Sequence, residues 1–501
     1  MTKVAARTIA AADRQLREAV ARGDSPGLVI VGGGITGAAI FAKASAAGLQ
    51  PWLLERGDFA SGTSSRSSKM LHGGLRYLAS GDLKTVKQSA EQKNWFAQAL
   101  PEHVHPLPFF FLHRDGEFPS ARIFDLVLSL YDRISKGKKH RRIFRDEFAK
   151  FAPGFNLEKF NAANLYYDAV TDDVALVYSL LLTGVEHGGL CANYLPVKSM
   201  LTREGMTTGV KAVCPTTGDN VDIRSPMVVN ATGAWASGLH QLPTGKMRPL
   251  RGSHIVLPGW KVPVSATLTA SHPEDGRPVY LYPWQGMTVV GCTDLLETAD
   301  LQRPTIMSRG ERDYLLAAVK SLGLRRSIDS SDIVSSWAGI RPVISPDKPR
   351  SKGDEETSPS KEPRHHQLWQ SEGLVSIAGG KLATAMPMAD DVLNAIAEQQ
   401  QKNIALPQNL ILRSWRQAKS LADLEAEFSD GAIKNLDDLL IRSTRLGLTM
   451  GERLVRHRDR IERICAQNLL WTPEEFERQW QDFWNLWRQQ YGPSPWETTD
   501  G

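Results

Sequence analysis

The order of apolar and polar positions divides the chain into elements before any single residue is weighed. Leu28–Val31 is an unbroken apolar run bounded by glycine, which predicts a buried parallel strand. The alanine-rich stretch Ala38–Ala47 predicts a helix closed by Gly48, and "PWLLE" predicts a second strand ending on Glu55. "PMVVNATGAWA", Pro226 to Ala236, reads as a buried strand entering a Thr-Gly turn. "SIAGGKLATA", Ser376 to Ala385, reads as a strand, a glycine pair and a helix start.

"TDDVALVYSLLLTGVEHGG" carries acidic caps, apolar periodicity and a glycine stop, so a helix is predicted there. "PVYLYPWQGMTVVGCTD" predicts a hairpin about Gln285-Gly286; with "SHIVLP" and "SATLTA" it suggests an antiparallel sheet. From about Leu410 the pattern is helical and tryptophan-rich, as in "EEFERQWQDFWNLWRQQYG". That stripe reads as core or interdomain packing rather than cofactor contact. The first 26 residues read as a helical extension, since Asp13, Glu18 and Asp24 count against a transit peptide.

At 501 residues the chain is too long for one core, and two or three domains are expected at roughly 100–200 residues each. Its 42% hydrophobic and 23% charged residues are ordinary for a globular protein. No stretch approaches the roughly 18 apolar residues of a membrane span. The net charge of +5 does not imply nucleic acid. Basic residues cluster in "RISKGKKHRRIFR", Arg133 to Arg145, which reads either as a solvated helix end or as a contact for anionic lipid headgroups. Cys191, Cys214, Cys292 and Cys465 are scattered and form no Cys-x-x-Cys pair. They suit a reducing compartment and predict neither a metal site nor a disulfide framework.

Gly32, Gly34 and Gly37 fit G-x-G-x-x-G between the first strand and its helix. Glycine permits the tight turn and close backbone approach to a pyrophosphate, and the helix N-terminus faces its negative charge. Glu55 at the end of the second strand can accept from ribose hydroxyls. The motif alone does not separate NAD from FAD. The stretch after the second strand favours FAD: "ASGTSSRSSKMLHGG" replaces the next strand–helix unit, and its hydroxyl residues and glycines allow backbone approach to a flavin. The alternative is an ordinary surface loop.

The sequence resembles the FAD-dependent, quinone-linked glycerol-3-phosphate dehydrogenases within the glycine- and D-amino-acid-oxidase-like flavoproteins. The likeness covers Gly27 to about Asp391 and rests on "GGGITGAAI", "TSSRSSKMLHGGLRYL", "VNATGAWA", "RGSHIVLP", "GCTD", "WAGIRPV" and "GGKLATA", in that order. It implies an α/β fold, α+β overall, with a Rossmann-like FAD-binding domain (27–105, 160–245 and 330–405), an antiparallel-sheet substrate domain (106–159 and 246–329) and a helical C-terminal domain (406–501), after the 1–26 extension. FAD would be held by Gly32, Gly34, Ile35, Thr36, Gly37, Glu55, Arg56, Thr63, Ser64, Ser65, Ser68, Lys69, His72, Gly73, Gly74, Val197, Ala231, Thr232, Gly233, Trp235, Gly380, Lys381 and Leu382.

The resemblance places Arg76, Tyr77, His254, Thr293, Arg341, Arg364 and Lys381 around a phosphate ester, with His254, Arg341 and Lys381 catalytic. Arginine suits this because its planar fork holds two phosphate oxygens. His254 is the expected base, since imidazole titrates near working pH; Lys381 is the alternative. Cys292 stands where the family usually has threonine, and Ala383 replaces another hydroxyl residue. The implied reaction is oxidation of sn-glycerol 3-phosphate. Its alternatives are another polyol phosphate, such as a tetritol phosphate, or a non-catalytic flavin sensor. Candidate partners are the phosphate ester, a quinone acceptor, an anionic membrane surface and a second copy in a homodimer. The implied location is cytoplasmic, peripheral on the cytoplasmic membrane. Several family members carry a basic amphipathic helix after the lysine motif, but "TAMPMADDVLNAIAEQQ" has no Lys or Arg.

Overall fold

Val29–Val31 is buried along its whole length and pairs in parallel with Trp52–Leu54 on one side and Val228–Asn230 on the other. Such short all-apolar strands need helices on both faces of the sheet. The structure, a computed structural model, describes residues 8–78, 81–135, 137–214, 217–242, 244, 246–345, 365–407, 409–426, 428 and 431–493.

The first sheet has six strands in the order His366–Ser371, Leu374–Gly379, Val228–Asn230, Val29–Val31, Trp52–Leu54, Leu190–Ala192. All its pairings are parallel except the edge pair His366–Ser371 with Leu374–Gly379. The helices Ile35–Ala46, Asp173–Glu186 and Ala385–Gln400 pack together over it. The N-terminal helix Ile9–Arg22 is part of this unit, with Ile9 and Leu16 fully buried.

The second sheet has ten strands, with Lys246–Pro258 paired to both Met287–Gly291 and Ser335–Ser345. The expected hairpin is present: Pro278–Trp284 pairs with Met287–Gly291, and Gln285 and Gly286 both take positive φ, 47° and 77°. Two left-handed residues match the twist of a two-residue hairpin. Three strands depart from the division expected from sequence. Met70–Leu71, Ala162–Thr171 and Ser335–Ser345 belong to this second sheet, Ala162–Thr171 pairing with Val104–His113 over its full length. The sheet is also not purely antiparallel, because Thr267–Ser271 runs parallel to Val104–His113.

The C-terminal region is helical. Thr472 caps the helix Pro473–Gln490 by accepting from the Glu475 amide, and Phe476, Trp480, Phe483, Trp484 and Trp487 are buried along one face. The tryptophan stripe is therefore core. Two buried ion clusters tie this region to the rest. Arg445 meets Asp172 and Asp173, and Arg442 meets Asp58, Asp437 and Asp438. Breaking one partner of such a cluster leaves an uncompensated buried charge, at a cost of about 3–5 kcal/mol.

Candidate active site

Both sheets open onto one cavity of about 1650 Å³, larger than the roughly 300–1,000 Å³ of ordinary small-molecule pockets. Gly32, Gly34, Ile35 and Thr36 border one end, where the helix Ile35–Ala46 begins. Gly32 has φ 110°, and a Cβ there would lie 2.7 Å from the Ala231 carbonyl oxygen. Gly37 stands behind the lining: its Cβ would lie 1.9 Å from the Gly32 oxygen, so it is glycine to let the turn close on the helix. Glu55 borders the same end. Its Oε2 accepts from the Gly33 amide at 2.6 Å and its Oε1 from the Gly57 amide at 2.9 Å, which fixes the carboxylate. Val197, Ala231, Thr232, Gly233 and Trp235 complete this wall, and the Arg56 guanidinium lies 4.7 Å from the Trp235 ring centroid.

The stretch from Thr63 to Gly74 then crosses from one sheet to the other. The Ser64 hydroxyl accepts from the Ile35 amide at 2.9 Å, so a residue from outside the helix caps its first turn. Thr63 donates to the Ile340 carbonyl at 2.5 Å, and Ser68 Oγ lies 2.9 Å from His254 Nε2. Thr63, Ser64, Ser68, His72 and Gly74 all border the cavity.

His254 and Arg341 stand at the other end of the cavity, on neighbouring strands. His254 is buried, stacked on Trp337 at 5.1 Å and 17°, and its Nδ1 has no hydrogen-bond partner among the described residues. Burial, the Arg341 guanidinium and the Lys69 ammonium push its pKa well below the ordinary imidazole value. It is therefore a neutral imidazole at physiological pH, able to accept a proton. Arg341 donates to Asp294 Oδ1 at 2.7 Å, to Cys292 Sγ at 2.9 Å and to the Thr293 carbonyl at 3.3 Å. The open space at Gly252 makes room for that guanidinium, which a Cβ would meet at 2.2 Å. Gly380, Lys381 and Leu382 border the cavity where Leu374–Gly379 gives way to the helical turn before Ala385–Gln400.

A glycine turn at a helix N-terminus thus borders one end of the cavity, and a buried histidine beside an arginine borders the other. The DAO family, described as FAD dependent oxidoreductase, matches residues 28–389. The chain is 31% identical over 398 residues to an aerobic glycerol-3-phosphate dehydrogenase of Staphylococcus aureus, covering 77% of this chain and 69% of that one. The chain belongs to the aerobic glycerol-3-phosphate dehydrogenases among the FAD-dependent oxidoreductases. Its fold is similar to that of glycerol-3-phosphate dehydrogenase from Bacillus halodurans complexed with FAD, with TM-score 0.74 and 22% identity over 96% of this chain and 98% of that one. It is also similar to L-α-glycerophosphate oxidase from Mycoplasma pneumoniae with FAD bound, with TM-score 0.57 and 16% identity over 77% and 97%.

The residues of the dehydrogenase fit FAD. The Gly32 turn packs against the Ala231 carbonyl with no room for a Cβ, Gly34, Ile35 and Thr36 bring the N-terminus of the helix Ile35–Ala46 to the cavity, and Glu55, its carboxylate held by the Gly33 and Gly57 amides, borders the same end. Four residues expected to touch the cofactor do not border the cavity: Gly37, Ser65, Lys69 and Gly73. Lys69 is fully buried, its ammonium 3.1 Å from Asp173 Oδ1, 2.9 Å from the Ser65 carbonyl and 4.6 Å from the Trp337 ring centroid. Burial and the Arg445 charge bring it down to about 8. It anchors the loop from within. Gly73 is held by its amide on Asp168 Oδ1 at 2.9 Å.

Thr293, expected beside the substrate, also lies off the cavity, with its hydroxyl donating to Glu311 at 2.7 Å. Its neighbours Cys292 and Asp294 border the cavity instead. Arg364 lies outside the described residues, as do the side chains of Arg76 and Tyr77 in the short helix Leu75–Leu78.

Arg66, Arg277, Tyr280 and Asp168 border the cavity and were not expected there from sequence. Asp168 had a visible signal, an acid inside the apolar run "NLYYDAV". It accepts from Lys93 at 3.0 Å, Tyr131 at 3.0 Å and the Gly73 amide, with His72 Nδ1 at 3.7 Å. Arg66 sits among the serines of "TSSRSSK" and reaches the Thr305 carbonyl, Gln490 and Tyr491.

Proposed function

We propose that the dehydrogenase oxidises sn-glycerol 3-phosphate to dihydroxyacetone phosphate and passes the electrons to a quinone at an anionic membrane surface. The observation that carries this reading is the meeting of a neutral His254 with Arg341 at one end of the cavity. Oxidation of a secondary alcohol releases a proton and a hydride, and bound FAD supplies the hydride acceptor. The chain must take the proton and hold the phosphate. His254 accepts the hydroxyl proton, and the substrate's two negative charges offset the Arg341 charge that otherwise opposes protonation. Arg341 and Lys381 bind the phosphate, with Arg277 as a further cation bordering the cavity. Asp294, now on Arg341, is released as phosphate takes its place.

Adding glycerol 3-phosphate to the anaerobic holoenzyme should bleach the flavin spectrum; a tetritol phosphate tested alongside separates the nearest alternative. An unchanged spectrum with glycerol 3-phosphate refutes the substrate. Arg341→Ala should lower kcat/KM by at least about a hundredfold, the worth of a charge-assisted bond of roughly 3 kcal/mol, while FAD stays bound. Loss of FAD instead would show that Arg341 belongs to the cofactor.

A further inference from the structure

We propose that the helix Ala121–Ser135, with the turn before it and the basic segment after it, docks the dehydrogenase onto an anionic lipid bilayer and opens the cavity to a lipid-borne acceptor. This deepens the quinone reading given above. The helix has more apolar surface than its packing uses. Phe124, Leu128 and Tyr131 face inward, on the ten-stranded sheet. Ile123, Leu126, Val127 and Leu130 form a second stripe at helical spacing beside them. Leu126 is 74% exposed, Phe118 80%, Ile123 45% and Leu130 41%. Single exposed apolar residues are ordinary, but a stripe of them marks an interaction surface.

Two observations identify the occupant. The first is charge. Arg122 and Arg133 are exposed near the two ends of the helix, and exposed Lys138, Lys139, Arg141 and Arg142 follow. The acids of the helix, Asp125 and Asp132, are turned to His140 and Arg142. An apolar stripe flanked by cations is the pattern that lies in a bilayer interface. A second copy of the chain would bring the same cations onto its own. The second observation is continuity. Phe118, Ile123 and Val127 border the cavity as well as the patch, so the exposed apolar surface is continuous with the cavity wall. The helix Ala385–Gln400, where the family resemblance put the basic membrane contact, is committed elsewhere. Its apolar face, including Met388, Val392 and Ile396, is buried in the core of the first sheet.

The test is flotation of the full-length FAD-loaded protein with phosphatidylcholine vesicles, with and without phosphatidylglycerol, at low and high salt. The wild type should float with the anionic vesicles at low salt. Leu126→Asp with Leu130→Asp should reduce flotation at least about tenfold, and Arg133→Glu with Lys139→Glu should remove the dependence on phosphatidylglycerol. Dye-linked oxidation of glycerol 3-phosphate in buffer should be unchanged by the leucine pair, while reduction of quinone embedded in vesicles falls with flotation. No flotation of the wild type, or equal flotation of the leucine variant, overturns the proposal. So does a dimer in sedimentation that the leucine variant abolishes. If glycerol 3-phosphate supports no dye reduction, the functional reading fails, and flotation still decides the docking surface.

Discussion

Asp168→Asn is the most informative single change, because one carboxylate holds three elements at the cavity edge. Burial alone would raise Asp168, but the Lys93 ammonium, His72 and the Gly73 amide outweigh it and hold its pKa at about 2 instead of 3.8. A carboxylate so held contributes roughly 2 kcal/mol at neutral pH, present above the unfolded value and lost as pH falls through about 2. The amide removes that charge and leaves the Lys93 ammonium, 9% exposed, without its anion. A half-broken buried pair costs about 3–5 kcal/mol. The two routes bracket a loss of about 2–5 kcal/mol. For a cooperative unit of 150–250 residues, that is a fall in Tm of roughly 4–20 °C at neutral pH. Differential scanning calorimetry at one scan rate reads it. The decisive measurement is the double variant with Lys93→Met. If the cost is the stranded ammonium, the second change restores at least about 1 kcal/mol of the loss. Additive losses would refute the reasoning. The same variant should weaken glycerol 3-phosphate binding, since the carboxylate also fixes Gly73 and lies beside His72.

Gly32→Ala should yield protein with little flavin, because its φ of 110° is strained for alanine and the Cβ would overlap the Ala231 carbonyl. The flavin-to-protein absorbance ratio and FAD titration check this; a loss below tenfold, about 1.4 kcal/mol, counts against the turn as the pyrophosphate cradle. His254→Asn should lower kcat by about 10²–10⁴ with FAD retained. Because the required form of His254 is neutral and its pKa is depressed, wild-type kcat/KM should hold as pH falls through 6.5 and decline only below it. A decline centred at or above 6.5 would point to a different base.

What could be read in advance was chemistry whose parts lie close together in the chain. The Gly32–Gly37 turn, its helix and Glu55 form one strand–helix–strand unit, so spacing alone foretold that unit, which borders one end of the cavity. The stripe from Phe476 to Trp487 likewise announced its own burial through period. Lys69 shows where such reading fails. In "SSRSSKMLHGG" it looks like a cation offered to a ligand, yet its partner Asp173 is 104 residues away and the tryptophans beside it are further still. Nothing local distinguishes a lysine that binds a cofactor from one that anchors a loop. Thr293 fails for a different reason. In the irregular turn after the strand Met287–Gly291, Cys292 and Asp294 border the cavity while Thr293 donates to Glu311. No period in the sequence governs that turn, whose place is set by the pairing of Lys246–Pro258 with Met287–Gly291. The end of the cavity proposed for the substrate is lined from both sheets, so its contacts lie in no single stretch. Cys292 illustrates this: its sulfur meets Arg341 from a strand 49 residues away, so the residue at this position helps set the orientation of that guanidinium.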